Sequence, residues 1–222
     1  MKNLKKALSL LLSLMLVLGA VAVGGMSVSA DNILPEVDVT YTSENDWVGT
    51  LTIYENKVIK LSGITHDNTG TEYASPIKIG NNSVVGIVLE GNNVLTGNSS
   101  TVSAGIEVEA GSTVNIYAED GASLTVTGGK NSAGIGGIGY DRAEVTNLPA
   151  GNINIYGGRI IATGGSQGAA IGSGFHSSAS DINIKGGDIT AFGIDCGAGI
   201  GAGYGTSGGA VSSSGCFRSE SI

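Results

Sequence analysis

Apolar and polar residues alternate in short runs along most of this chain. Val114-Asn115-Ile116, Ile153-Asn154-Ile155 and Ile182-Asn183-Ile184 are the plainest cases. A period of two predicts strands that bury one face. Two more runs follow each of these. After the last come Ile189-Thr190-Ala191 and Ala198-Gly199-Ile200; after the second, Ile160-Ile161-Ala162 and Ala169-Ala170-Ile171; after the first, Leu124-Thr125-Val126 and Ala133-Gly134-Ile135. Glycines such as Gly186, Gly187 and Gly193 close the runs, where a turn favours a residue without Cβ.

The triplet of runs recurs. Ile106, Ile135, Ile171 and Ile200 fall 29, 36 and 29 residues apart, which is the signature of a solenoid. The gaps between runs are too short for a helical crossover. Stacking each unit on the last resolves this, because every strand then pairs with its counterpart about 4.8 Å along the axis. The expected fold is all-β: a three-faced right-handed parallel β-helix with rungs of 29 residues, about five rungs long. Its bore stacks Ile116, Ile155 and Ile184 on the first face. Leu124, Ile160 and Ile189 stack on the second, beside Val126, Ala162 and Ala191. Ala104, Ala133, Ala169 and Ala198 line the third with the four isoleucines.

The rest of the chain divides around that repeat. Residues 1–30 read as a signal peptide: Lys2, Lys5 and Lys6, an apolar run from Ala7 to Val23, and small residues at Val28-Ser29-Ala30. Residues 31–83 read as N-terminal loops and a cap region, with loops at 31–45 and 64–76; the segment Asp46 to Gly63, with Trp47 and strand-like runs at Thr50-Leu51-Thr52-Ile53 and Val58-Ile59-Lys60-Leu61, is expected to close the bore. Residues 84–222 read as the parallel β-helix, with Val84 to Gly97 a degenerate rung. The 36-residue unit carries its extra residues in 140–149, expected to bulge from a corner. Val211 starts a new rung on time, 29 residues after Ile182, and Ser212 to Arg218 then leave the pattern. The chain therefore reads as a truncated or frame-shifted piece of a longer protein.

Charge narrows the partners. Removing the three leader lysines leaves 8 basic residues against 19 acidic ones, a net charge of −11. Nucleic acid and anionic membranes would be repelled. Acidic polysaccharide would need a bridging divalent cation. Cys196 and Cys216 map to different sides of neighbouring rungs and form no disulfide framework.

Chemistry must sit on outward positions. On the first face these form three columns: Thr113, Asn152 and Asp181; then Asn115, Asn154 and Asn183; then Tyr117, Tyr156 and Lys185. Aromatic faces stack on sugars and amides pair with hydroxyls, so a flat repeating face suits a repeating neutral polymer. The expected carbohydrate-binding residues are Asn115, Tyr117, Asn154, Tyr156, Asn183 and Lys185. The plain alternative is an Asn ladder that hydrates a surface, with tyrosines covering apolar stems. Tyr140, Phe175 and Tyr204 form a second aromatic column beside a Gly corner, and alternation does not settle which way it points. Asp141, Glu144, Asp181, Asp188 and Asp195 stand singly, and His66 and His176 read as isolated loop residues. No catalytic set and no cofactor is expected, with weak calcium binding near Asp181 kept open. Ice binding would need regular Thr-x-Thr columns, which Ile161 and Phe192 break.

The run Asn152-Ile153-Asn154-Ile155-Tyr156-Gly157-Gly158-Arg159-Ile160-Ile161-Ala162-Thr163-Gly164-Gly165, followed by Gly168-Ala169-Ala170-Ile171-Gly172-Ser173-Gly174, resembles a known family. It is a family of secreted Gram-positive β-helix proteins, described as carbohydrate-binding-domain or cell-surface adhesin-like. The likeness covers residues 84–209 and rests on bore and corner residues, none of them catalytic. It implies a polysaccharide-facing role, secreted or at the cell surface. The expected function is a non-catalytic carbohydrate-binding or adhesive module. The alternatives are a structural spacer of a larger surface protein, or the N-terminal part of a β-helix polysaccharide lyase or hydrolase.

Overall fold

The computed structural model describes residues 34–43, 47–68, 74–140, 149–179 and 181–205, and the backbone of 211–213 and 216–221. The leader reading of 1–30 lies outside them, as do Asp141, Glu144 and most of the 140–149 insertion. The described residues form nineteen strands, numbered β1–β19 in chain order. All strand pairs are parallel, and they build three sheets.

The first sheet holds β1 (Val39–Thr42), β3 (Lys57–Ser62), β6 (Val84–Glu90), β9 (Thr113–Ala118), β12 (Asn152–Ile155), β15 (Ile182–Ile184) and β18 (Val211–Ser213), in that spatial order. The second runs β4 (Thr65–Asp67), β7 (Asn92–Thr96), β10 (Ser123–Thr127), β13 (Arg159–Ser166), β16 (Asp188–Ile194), β19 (Cys216–Ser221). The third runs β2 (Leu51–Ile53), β5 (Ile77–Ile79), β8 (Ile106–Val108), β11 (Ile135–Gly136), β14 (Ile171–Gly172), β17 (Ile200–Gly201). This is a three-faced parallel β-solenoid with rungs of 29 residues, as the isoleucine spacing predicts.

Register follows alternation. Ile116 pairs with Ile155 and Ile155 with Ile184. Leu124, Ile160 and Ile189 align on the second sheet, with Val126, Ala162 and Ala191 two residues on. All of these are buried, as are Ala104, Ala133 and Ala169; Ala198 and Ile200, just before and in the last described strand of their sheet, are partly open. A one-residue slip would turn every isoleucine to water, so the alternating pattern fixes the register strongly.

Two expectations need correction. The segments 31–45 and 64–76, expected as loops, contain β1 and β4, and with β2, β3 and β5 they extend the same three sheets upstream of Val84. Thr65-His66-Asp67 escapes pattern reading because its inward residue is polar. His66 aligns with the bore residue Leu95 and is itself buried. Its Nε2 lies 2.8 Å from the Gly49 carbonyl and 3.1 Å from Asn68 Oδ1. Both are acceptors, so the proton sits on Nε2. Among the described residues the second sheet ends at β4, and there Trp47 stacks on the His66 ring at 4.6 Å while its indole N–H donates to the Pro76 carbonyl. Trp47 covers the bore at this end, with Tyr41 edge-on beside it.

The other correction is downstream. The chain from Ser212 onward, which loses the sequence pattern, still runs as strand: β18 continues the first sheet with Val211 opposite Ile182, and β19 the second with Cys216 opposite Asp188. Parallel pairing uses backbone groups that every residue but proline carries. The exposed Cys196 thiol is free and follows β16 at the far end from Asp188.

Candidate functional site

The first sheet brings the six expected residues together. Thr113 pairs with Asn152, Asn115 with Asn154, and Asn154 with Asn183. The amides form a continuous ladder: Asn183 Nδ2 donates to Asn154 Oδ1 at 3.0 Å, and Asn154 Nδ2 donates to Asn115 Oδ1 at 2.8 Å. An amide has two N–H groups and two carbonyl lone pairs, so a ladder step leaves capacity to face outward.

The aromatic column has a geometry that sequence did not predict. Tyr117 and Tyr156 stack on each other, centroids 4.5 Å apart and planes within 9°. Lys185 Nζ lies 4.7 Å above the Tyr156 ring and 3.4 Å from its hydroxyl. On the other side, Tyr117 aligns with Val88, which is outward-facing yet only 1% exposed, and Val88 aligns with Lys60. The column therefore reads Lys60, Val88, Tyr117, Tyr156, Lys185. The rings lie across the rungs like the amides, and their faces cover one another and their neighbours. Edges and hydroxyls are what they present to solvent. Burial, then the neighbouring Tyr156 hydroxyl, pushes the Tyr117 phenol up, so it stays a neutral donor and acceptor through the physiological range.

The ladder opens on a hollow. The column of Asn115 continues through Gly86 and Val58, and a depression of about 370 Å³ lies beside them. Asn115, Tyr117, Val84, Asn56, Lys57 and Asp38 are among the residues that line it. Lys60, two rungs from Tyr117 in the same column, is paired with Glu119 and Glu90. Its hydrogen bond to Glu119 outweighs partial desolvation and holds the ammonium above the usual lysine range.

The second aromatic column also reaches solvent. Tyr204 is 51% exposed, Phe175 and Tyr140 are half-buried, and the Phe175 and Tyr204 rings are stacked nearly parallel with centroids 6.1 Å apart. His176 follows in a turn with φ 54° and its ring packs 4.0 Å from Phe175. On the second sheet Ile161 sits between Thr125 and Thr190, so the threonine columns are broken. Asp181 is exposed and donates its backbone N–H to Asn152 Oδ1. Among the described residues no three His, Cys, Asp or Glu side chains come together as a metal site.

One charged cluster was missed. Lys78, on β5, pairs in register with Glu107, on β8, on the outer side of the third sheet. Lys78 Nζ lies 2.7 Å from Glu107 and 2.7 Å from Glu109. Ser75 Oγ donates to the other oxygen of Glu107 at 2.7 Å. The signal was in the sequence: Lys78 and Glu107 are one 29-residue rung apart, and Glu107 and Glu109 flank Val108, which puts both on one side of the strand.

Residues 153–175 and 182–204 each match the family model described as a beta helix repeat. No curated protein and no solved structure matches the chain. The matched segments carry β12–β14 and β15–β17, one complete turn of the three sheets each.

Proposed function

We propose that this chain is a secreted, non-catalytic module that holds polysaccharide along its first face. The observation that carries the reading is the ladder of Asn115, Asn154 and Asn183 beside the Tyr117–Tyr156–Lys185 column. It offers amide and phenol groups in two parallel rows at rung spacing, about 4.8 Å. A polymer with repeating hydroxyls meets repeating partners there. Because the ring faces are covered, contact runs through ring edges, hydroxyls and amides rather than through sugars stacked on the rings. The hollow at Gly86 extends the row by a niche for the polymer's end or a branch. A neutral polymer fits a chain with so large an acidic excess; an acidic one needs a divalent cation between the two.

Retention on a panel of insoluble polysaccharides, with and without chelator, tests this. The parent should be retained on a neutral polymer, insensitive to chelator. Tyr117→Ala with Tyr156→Ala should abolish retention, while Tyr117→Phe with Tyr156→Phe, which keeps the stack and loses both hydroxyls, should weaken it about tenfold, the value of one or two hydrogen bonds. Both pairs should keep the fold, since the rings lie outside the bore. The second reading, a structural spacer, is favoured by the ladder amides bonding one another. It takes over if the parent binds nothing in the panel.

A further inference from the structure

The outer side of the third sheet carries a buried charge that the stability of a solenoid does not require. Outward positions there run Lys78, Glu107, Gly136, Gly172, Gly201. Beyond Glu107 the column is bare backbone. Yet Glu107 is only 5% exposed, although it points away from the bore. Ile138 and Tyr140, just after β11, and Pro149, just before β12, wall the space beside it. Between these walls and the sheet lies a hollow of about 280 Å³, whose lining includes Lys78, Glu107 and Glu109.

The polar groups of this hollow are pre-set. Glu107 is fixed from both sides by Ser75 and Lys78, and Ser75 is itself held by the Ala104 N–H at 3.0 Å. Burial alone would push the Lys78 ammonium down; its bonds to Glu107 and Glu109 outweigh that and hold it well above the usual lysine range. Burial, then Glu107, pushes the Tyr140 phenol up, so its proton stays in place. An ammonium has three hydrogens, and two are taken by the glutamates. Glu109, whose second oxygen lies against Gly80, lines the hollow and is partly open to solvent. A donor and an acceptor thus stand side by side on the floor of the hollow. The wall opposite is apolar, from Ile138, Tyr140 and Pro149. The Glu–Lys–Glu cluster carries a net charge of −1.

We propose that the hollow between Lys78, Glu109 and Tyr140 binds one sugar ring bearing no acidic group. Adjacent hydroxyls of a ring polyol each donate and accept, which matches an ammonium hydrogen beside a carboxylate oxygen. The carbon-bound hydrogens of the ring meet the apolar wall. The volume lies just below the range of drug-sized pockets and suits a single ring rather than a chain. The surplus negative charge repels uronates and favours a ring that carries a free amine. This site is separate from the first-face site, on a different sheet, and binds by enclosing one residue rather than by lining up many.

Amide chemical-shift titration of the chain tests it, with methyl glycosides of glucose, galactose and mannose, then glucosamine, N-acetylglucosamine, galacturonate and glycine as probes. At least one neutral or amino sugar should shift the N–H signals of Glu107, Val108, Glu109 and Tyr140 saturably, and galacturonate should not. The amine should improve affinity at least about threefold over its neutral counterpart. Glu109→Gln should remove that preference and weaken binding about tenfold, the value of a hydrogen bond to a charged group. Tyr140→Ala should weaken every sugar that binds. Tyr117→Ala with Tyr156→Ala should leave these shifts unchanged, so failure here and failure of the first-face reading are told apart. Glu109 and Tyr140 are both partly exposed, and an unchanged unfolding midpoint confirms that each variant folds. The proposal is overturned if no sugar moves these signals, if Glu109→Gln and Tyr140→Ala bind like the parent, or if glycine saturates the site in place of the sugars.

Discussion

Ile155→Asp should cost about 3 kcal/mol or more, because it places a carboxylate without a partner in an apolar bore. Ile155 is fully buried on β12, between Ile116 and Ile184, and the column around it offers no polar group to meet a charge. The loss should also change the form of unfolding. Stability in a stack of rungs is a sum of local terms and neighbour interfaces. A weak rung between two sound ones lets the two sides open separately, so urea unfolding should broaden or split into two steps. Asn154→Asp, one residue away and outward, is the control. It removes the donor to Asn115 Oδ1 and sets a carboxylate against that carbonyl, yet keeps the acceptor for Asn183. Its cost should be about 1 kcal/mol, the worth of one hydrogen bond. Equal unfolding midpoints for the two variants would refute the register.

Gly172→Ala should be comparably damaging, for a reason unrelated to the bore. Gly136, Gly172 and Gly201 share one column on the third sheet, with φ of 130°, 138° and 128°. That conformation is one that L-residues avoid, at roughly 1–3 kcal/mol each. A Cβ on Gly172 would also collide with the carbonyl of Gly201 in the next strand. Backbone rather than a flexible side chain stands in the way, so relief must come by shifting strands. The expected loss is about 3 kcal/mol, measurable by urea titration. Gly121→Ala is the comparison: φ there is also positive, at 77°, but nothing lies within 4 Å of the added atom. It should cost only the conformational part, about 1 kcal/mol. If both substitutions cost the same, close packing between rungs is not what selects glycine in the column.

The two glycines separate what a pattern can reveal from what it cannot. The column of Gly136, Gly172 and Gly201 is visible in the repeat as a turn signal, but for Gly136 and Gly172 the cause is a carbonyl in the next strand. The same holds for the candidate site. Alternation placed Asn115, Asn154 and Asn183 outward in one row, and Tyr117, Tyr156 and Lys185 in the next, and the sheet sets them there. Alternation did not say how a ring turns about its own bonds. The stack of Tyr117 on Tyr156, with Lys185 above and Val88 below, follows from rungs spaced near the thickness of two aromatic faces. The upstream strand β4 was unreadable for a different reason, although the runs that become β2 and β3 were legible. His66 occupies an inward position that Leu95 holds one rung on, so Thr65-His66-Asp67 shows no apolar alternation.

By itself the sequence determined the parallel β-solenoid, its 29-residue rung, the register of its columns and the outward rows of the first face. Those are set by periodicity, and periodicity is a local property of the chain. The tertiary structure decided which side-chain surfaces remain open and which charges meet. Lys78 and Glu107 become neighbours because strands one rung apart pair, and Glu107 is sheltered because Ile138 and Tyr140 come from a later part of the chain. Trp47 caps the bore where, among the described residues, the second sheet ends at β4 and leaves the His66 ring to stack on. Burial, ring orientation and ion pairing depend on contacts between residues distant in sequence, and only the folded stack brings those residues within reach.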